Sequence, residues 1–295
     1  MLAGKLKGER RSKRRGQSVE FADHRQYVEG DDLRHIDWNI FGRLDRLFIK
    51  MFLEEEDLSL HIVMDASASL DAGEPNKFLL TQRLAIALGY IGLANLHRVT
   101  LTVIGGTSPA QRAADAPVAT AEAPASTLHQ LRDLRGRRRL QDMSRFLIGI
   151  EPGGATPFTE SCKRIAMTRR GKGIMVIISD FLIKEGYESG LRMLVGHGYE
   201  LFVLPVLSPQ EKKPTIGGDL RLKDVEDADL ADLTVTSALL KKYEQTVRAY
   251  FTRLRDFCAA RSISLMLDAD GLPVSSDKPI DTILLDYLRR RGLLR

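Results

Sequence analysis

Two short apolar runs that each lead to an aspartate constrain this chain more than any other feature. Ile62, Val63 and Met64 run into Asp65 within HIVMDASASL (His61–Leu70), and the five residues Ile174–Ile178 approach Asp180 within GIMVIISDF (Gly173–Phe181). An apolar run of this kind reads as a strand covered on both faces, so helices must lie above and below its sheet. Open α/β sheets gather ligands at the carboxyl ends of parallel strands, where Asp65 and Asp180 both fall.

The intervening segments supply such helices. Lys77–Leu93 places Leu80, Leu84, Leu88 and Ile91 on one stripe, Phe158–Thr168 carries Ile165 and Met167, and Lys184–Gly196 ends at a glycine. The longest helix carries Leu240, Tyr243, Val247, Tyr250, Leu254 and Phe257 at helical spacing, and Asp281–Arg291 closes the chain. Further strands are expected at Arg98–Ile104, Glu200–Leu207 and Ser262–Asp268. Leu128–Ile150 has helical spacing interrupted by the arginines of Arg135–Arg139, and Thr107–Thr127, rich in Ala, Pro, Thr and Ser, reads as a surface excursion with a short edge strand at Pro117–Thr120. Strands alternating with helices predict an α/β fold with a doubly wound, mainly parallel sheet.

Chemistry concentrates at the strand ends. Ser67 and Ser69 follow Asp65 on alternate positions, a pattern that also occurs in ordinary turns and helix caps. Thr156 lies in the glycine-rich GGATPF (Gly153–Phe158) ahead of a helix, and Asp180 brings a second carboxylate to the same rim if the two strands are neighbours. Two carboxylates and three hydroxyls are hard oxygen donors with no soft ligand, a set suited to Mg²⁺, or to Mn²⁺ or Ca²⁺.

At Asp65, Ser67, Ser69, Thr156 and Asp180 the chain resembles the von Willebrand factor A domain, whose metal-ion-dependent adhesion site is built from Asp-x-Ser-x-Ser, a later Thr and a later Asp. A second stretch, R-x-Y-x-x-G-D-D-x-R-x-I-D-W, comprises Arg25, Tyr27, Asp31, Asp32, Arg34, Asp37 and Trp38 among its fixed positions. It resembles the signature of a bacterial family of A-domain proteins known only as domain of unknown function 58 and typically encoded beside MoxR-type AAA+ ATPases. Read from the residues themselves, so many ionisable groups imply a hydrogen-bonded ion network, a structural brace in preference to a catalytic centre. Val19/Phe21 and Phe48/Lys50/Phe52 suggest flanking strands, and Thr215–Thr236 a hairpin that joins them in a small second sheet. The expected organisation is a basic flexible tail (1–16), an amino-terminal β segment (17–57) packing with 208–236, and a von Willebrand factor A-like domain (58–295).

Composition limits the remaining classes. Within 295 residues, 43% of them hydrophobic, no apolar stretch reaches membrane-spanning length and the basic amino terminus lacks a signal-peptide core, so a cytoplasmic location is expected. Cys162 and Cys258 fall in expected helices and suit reduced, buried thiols. The net charge of +5 is a tail property, because the first fifteen residues hold seven Lys and Arg against one Glu. Such a run reads as a solvated terminus in preference to a nucleic-acid-binding segment, which remains the second alternative, and at Arg135–Arg139 no aromatics are interleaved with the arginines, as a nucleic-acid patch would want. A phosphotransfer or hydrolase enzyme with Asp65 as nucleophile would want a second acid where Ser67 stands, and no phosphate-cradling GxxxxGK[ST] is present. The expectation is a non-enzymatic, metal-dependent protein-binding module whose cation accepts an acidic residue of a client. The family resemblance adds a MoxR-type ATPase partner and a role in chaperone-like assembly or maturation of protein complexes.

Overall fold

A computed structural model describes residues 21–52, 59–107, 128–154, 157–168, 173–223 and 230–285. The tail at 1–16, the edge strand expected at 117–120, Thr156 and the end of the closing helix lie outside the described residues. The chain divides into two compact units, Lys5–Asp57 and the larger Leu58–Arg295.

In the smaller unit, β1 (Phe21–Gln26) pairs antiparallel with β2 (Phe48–Phe52), and α1 (Trp38–Leu44) lies between them in sequence. The charged signature residues build this connection. Asp31 accepts two bonds from the Arg25 guanidinium, both 2.8 Å, and closes a turn by accepting the Val28 N–H. Asp32 accepts from the Arg34 backbone N–H and from its Nε. Asp37 caps α1 by accepting the N–H groups of Asn39 and Ile40, while His24 Nε2 at 2.9 Å and Lys50 Nζ at 3.4 Å approach its other oxygen. With the His24 contact as the largest influence, these partners hold the Asp37 carboxyl down at about 2. Tyr27 enters this frame through its backbone N–H, which bonds Leu47, and Trp38 stands exposed with its ring edge-on to Phe41.

The larger unit is a mixed α/β structure with a central, mostly parallel sheet. In chain order its elements are β3 (Ser59–Asp65), α2 (Lys77–Ala94), β4 (Arg98–Ile104), β5 (Leu128–Leu134), α3 (Leu140–Ile148), α4 (Phe158–Thr168), β6 (Gly173–Ser179), α5 (Glu188–Gly196) and β7 (Tyr199–Leu207). After these come α6 (Pro209–Lys212), the hairpin β8 (Gly218–Lys223) and β9 (Leu230–Val235), α7 (Ser237–Ala259), the two-residue strands β10 (Ser264–Leu265) and β11 (Val274–Ser275), and α8 (Ile280–Thr282). The sheet order is β10-β7-β6-β3-β4-β5, with β11 also on β7, and only β5 runs antiparallel to its neighbour. Alternation along the strands divides the core. Leu60, Ile62, Met64, Val176 and Ile178 pack with α2 and α3, whereas Val63, Met175, Ile177 and Val203 pack with α4, α5 and α7. Helices therefore cover both faces, as the uninterrupted apolar runs require.

Several sequence expectations are corrected. Leu128–Leu134 is a strand, not the start of a helix. Its pairing with β4 slips by one residue between Leu101↔Leu131 and Val99↔Leu134, and this bulge turns Leu131 and Leu134 onto the same face. A three-residue spacing thus imitates a helix within a strand. Among the described residues β1 pairs with β2, and β8 with β9, each in a two-stranded antiparallel sheet. On α7 the fully buried stripe is Val247, Phe251, Leu254 and Cys258, while Tyr243 is exposed. Tyr250 and Phe257 flank this stripe, half-buried and packed against the same core. The strand expected over Ser262–Asp268 shortens to β10, and α5 begins at Glu188. Among the described residues no helix is long and apolar enough to cross a membrane.

Candidate functional site

The chain visits β3, β4 and β5 on one side and then returns to lay β6 on the other flank of β3. The order therefore reverses between β3 and β6, where flanking connections part and leave a crevice at the carboxyl ends of the strands. The parallel register runs from Leu60↔Ile174 to Met64↔Ile178, so Asp65 and Ser179 occupy the next level and Asp180 emerges just beyond.

At this rim Asp65 Oδ1 accepts the Ser67 N–H at 2.9 Å, and Oδ2 accepts the Ser179 hydroxyl at 2.7 Å. The Ser67 and Ser69 hydroxyl oxygens are 3.0 Å apart, with Ser67 buried and Ser69 half-buried. Backbone bonds fix the loops around them. Ala66 N–H donates to the Ile104 carbonyl, Gly153 N–H to that of Ala66, and Ala68 N–H to that of Gly154. The loop that leads to Thr156 is thereby stitched to the Asp-x-Ser-x-Ser turn. Gly106 completes the seam with a φ of +69°; a Cβ there would meet the Glu151 carbonyl oxygen at 2.7 Å. Only glycine combines that conformation with that clearance.

Asp180 is buried, and its Oδ1 accepts the Leu182 N–H at 3.1 Å. Its Oδ2 takes a bond of 3.2 Å from Lys77 Nζ, which also donates to Glu211 Oε1 at 2.6 Å. Phe181 follows with a φ of +58°, its N–H bonded to Ser179 Oγ and its carbonyl accepting the Tyr250 hydroxyl at 2.6 Å. Burial above all pushes the Tyr250 phenol up, so it remains a neutral donor.

Four of the five residues expected to ligate a cation, Asp65, Ser67, Ser69 and Asp180, are gathered at one rim. Thr156 is outside the described residues. Among the described residues no group of three or more His, Cys, Asp and Glu side chains forms a metal cluster. The donor chemistry here is of another kind, two carboxylates with hydroxyls. Neighbouring oxygens of an octahedron at the Mg²⁺ bond length are about 3 Å apart, the separation of the two serine hydroxyls. The residues present fit a small hard cation. Sequence reasoning passed over Ser179, Lys77 and Glu211. Ser179 had a signal in its place immediately before Asp180, and Lys77 had one as a cation directly ahead of the apolar Phe78, Leu79 and Leu80, but nothing local marked Glu211.

Comparison with known proteins adds a family. The family described as "Protein of unknown function DUF58" matches residues 23–253. The uncharacterized proteins Rv1480 of Mycobacterium tuberculosis and Mb1516 of Mycobacterium bovis are each 26% identical over 99% of this chain and 86% of their own length. Among solved structures, the conserved hypothetical protein BatB of Bacteroides thetaiotaomicron is similar with a TM-score of 0.43, 12% identity and coverage of 79% of this chain and 98% of its own. An aerotolerance-related membrane protein of Bacteroides fragilis has a TM-score of 0.41 at 15% identity, covering 72% of this chain and 93% of that one.

Proposed function

Starting from the fact that the chain belongs to the DUF58 family, we propose that it is a metal-dependent protein-binding module of the von Willebrand factor A kind. Asp65, Ser67, Ser69, Thr156 and Asp180 hold one divalent cation, Mg²⁺ by preference. The observation that carries this reading is that Asp65 and the paired Ser67 and Ser69 hydroxyls follow β3 where the strand order reverses, beside the end of β6, whose Ser179 bonds Asp65 and precedes Asp180. When bound, the cation supplies a Lewis-acidic position for a carboxylate of another protein. The chain's own residues do the rest. Ser179 orients Asp65 through Oδ2, the Ser67 N–H fixes Oδ1, and the loop seam at Gly106 and Gly153 keeps the serine turn closed.

Nothing in this arrangement requires turnover, and the role is that of an adaptor, not an enzyme. The partner is a MoxR-type AAA+ ATPase or a client supplying an acidic residue, and the work is chaperone-like assembly or maturation of protein complexes in the cytoplasm. Titration calorimetry with Mg²⁺ and Mn²⁺ tests the premise. The parent is expected to bind one cation, and Asp65→Ala and Asp180→Ala to lose it. Equal binding by parent and both variants would remove the site from consideration.

A further inference from the structure

Lys77 is among the largest side chains wholly withdrawn from solvent. A buried ammonium is costly unless paired, and this one also opens the 18-residue helix α2, at the positive end of the helix dipole. Two carboxylates offset that cost, Asp180 at 3.2 Å and Glu211 at 2.6 Å. Glu211 is in turn anchored at the start of α6, where its Oε2 accepts the Ser208 N–H at 2.7 Å and its hydroxyl at 3.0 Å, and Ser208 Oγ accepts the Glu211 N–H. Neither end of the chain of contacts is loose. The ammonium is fixed against one oxygen of a carboxylate that the cation would also need.

Resting on the metal reading above, we propose that Lys77 is a built-in competitor for Asp180, a fixed ammonium that weakens cation uptake by the protein alone. A divalent ion entering beside Asp180 meets a positive charge that cannot withdraw into water, because Lys77 is enclosed. A partner's carboxylate contributes the negative charge that Lys77 has taken away, so cation and acidic partner bind cooperatively. Their coupling is reciprocal: each raises the affinity for the other by the same factor. Lys77 touches neither partner nor cation and acts through Asp180, as a positioning residue.

The measurement is Mg²⁺ calorimetry on the full chain without partner, with circular dichroism verifying the fold of each variant. Lys77→Met is expected to bind Mg²⁺ roughly tenfold or more tightly than the parent. The double variant Lys77→Met/Glu211→Gln keeps the net charge of the parent and removes the buried ion pair as a unit, so it provides a folded alternative if the single variant collapses. It is expected to retain the tighter binding, and Lys77→Arg to stay within about threefold of the parent because the charge persists. Asp65-dependent binding that is equal in the parent and both Lys77→Met proteins overturns the competitor role while leaving the metal site standing. Tightening in the single variant that vanishes in the double also overturns it, since the uncovered Glu211 would then be the cause. No Asp65-dependent binding in any of these proteins defeats the metal reading and the competitor together, whereas binding gained only on loss of Lys77 is the strongest form of the expected result.

Discussion

Phe181 holds the turn that presents Asp180, with a φ of +58° that costs an aromatic residue about 1–3 kcal/mol. Its ring is 5.8 Å from that of Phe158, its N–H is bonded to Ser179, and Tyr250 reaches across from α7 to its carbonyl. Tyr250→Phe leaves that carbonyl without its phenol donor and is expected to lower stability by about 1–2 kcal/mol in urea denaturation. An unchanged midpoint would mean that the packing of Phe181 alone sustains the turn. At the two cysteines, burial pushes the Cys258 thiol up to about 12 and the Cys162 thiol higher still. Both are expected to resist a thiol reagent at pH 8 in the native protein and to react fully once it is unfolded. Rapid labelling of either under native conditions would contradict their enclosure.

Elements are positioned by a few tight joints. Gly89 on α2 lies where a Cβ would come within 2.3 Å of Met143 on α3, and Gly106 joins the loop after β4 to that before α4. Gly106→Ala adds both a forbidden clearance and a strained φ, so a loss of about 2 kcal/mol or more is expected, readable as a lowered thermal midpoint. In the smaller unit the cap of α1 makes a pH dependence. The Asp37 carboxyl titrates at about 2 in the folded state against 3.8 ordinarily, so the stabilisation is fully present above about pH 4 and is lost as the pH falls through the folded value. Trp38 is the chain's single tryptophan and adjoins this cap, which makes its fluorescence the local reporter. Asp37→Asn is expected to be the less stable protein at pH 7 and to show a flatter response between pH 4 and pH 2. Parallel acid profiles in the two proteins would exclude the cap as the source.

For the whole molecule, the proposed cation dependence makes a contrast that can be measured by co-purification with a MoxR-type ATPase. An inner-sphere carboxylate bond is expected to survive high salt and to be lost in EDTA, whereas attachment through the basic residues near the amino terminus gives the reverse. The sequence alone determined that there is an α/β sheet covered on both faces, and that Asp65 and Asp180 end two of its strands, because an uninterrupted apolar run leaves no solvent-facing side and the residue after it must emerge at a rim. It determined the serine pair by the same local logic. Tertiary structure decided what depends on distant register. The bulge against β4 made a strand of the helix-like Leu131 and Leu134. The Ser179–Asp65 bond joins residues 114 positions apart, and the Lys77–Asp180 bond residues 103 apart. Which hydroxyl or ammonium meets a carboxylate over such separations is fixed by strand order and helix docking, which no local spacing in the sequence encodes.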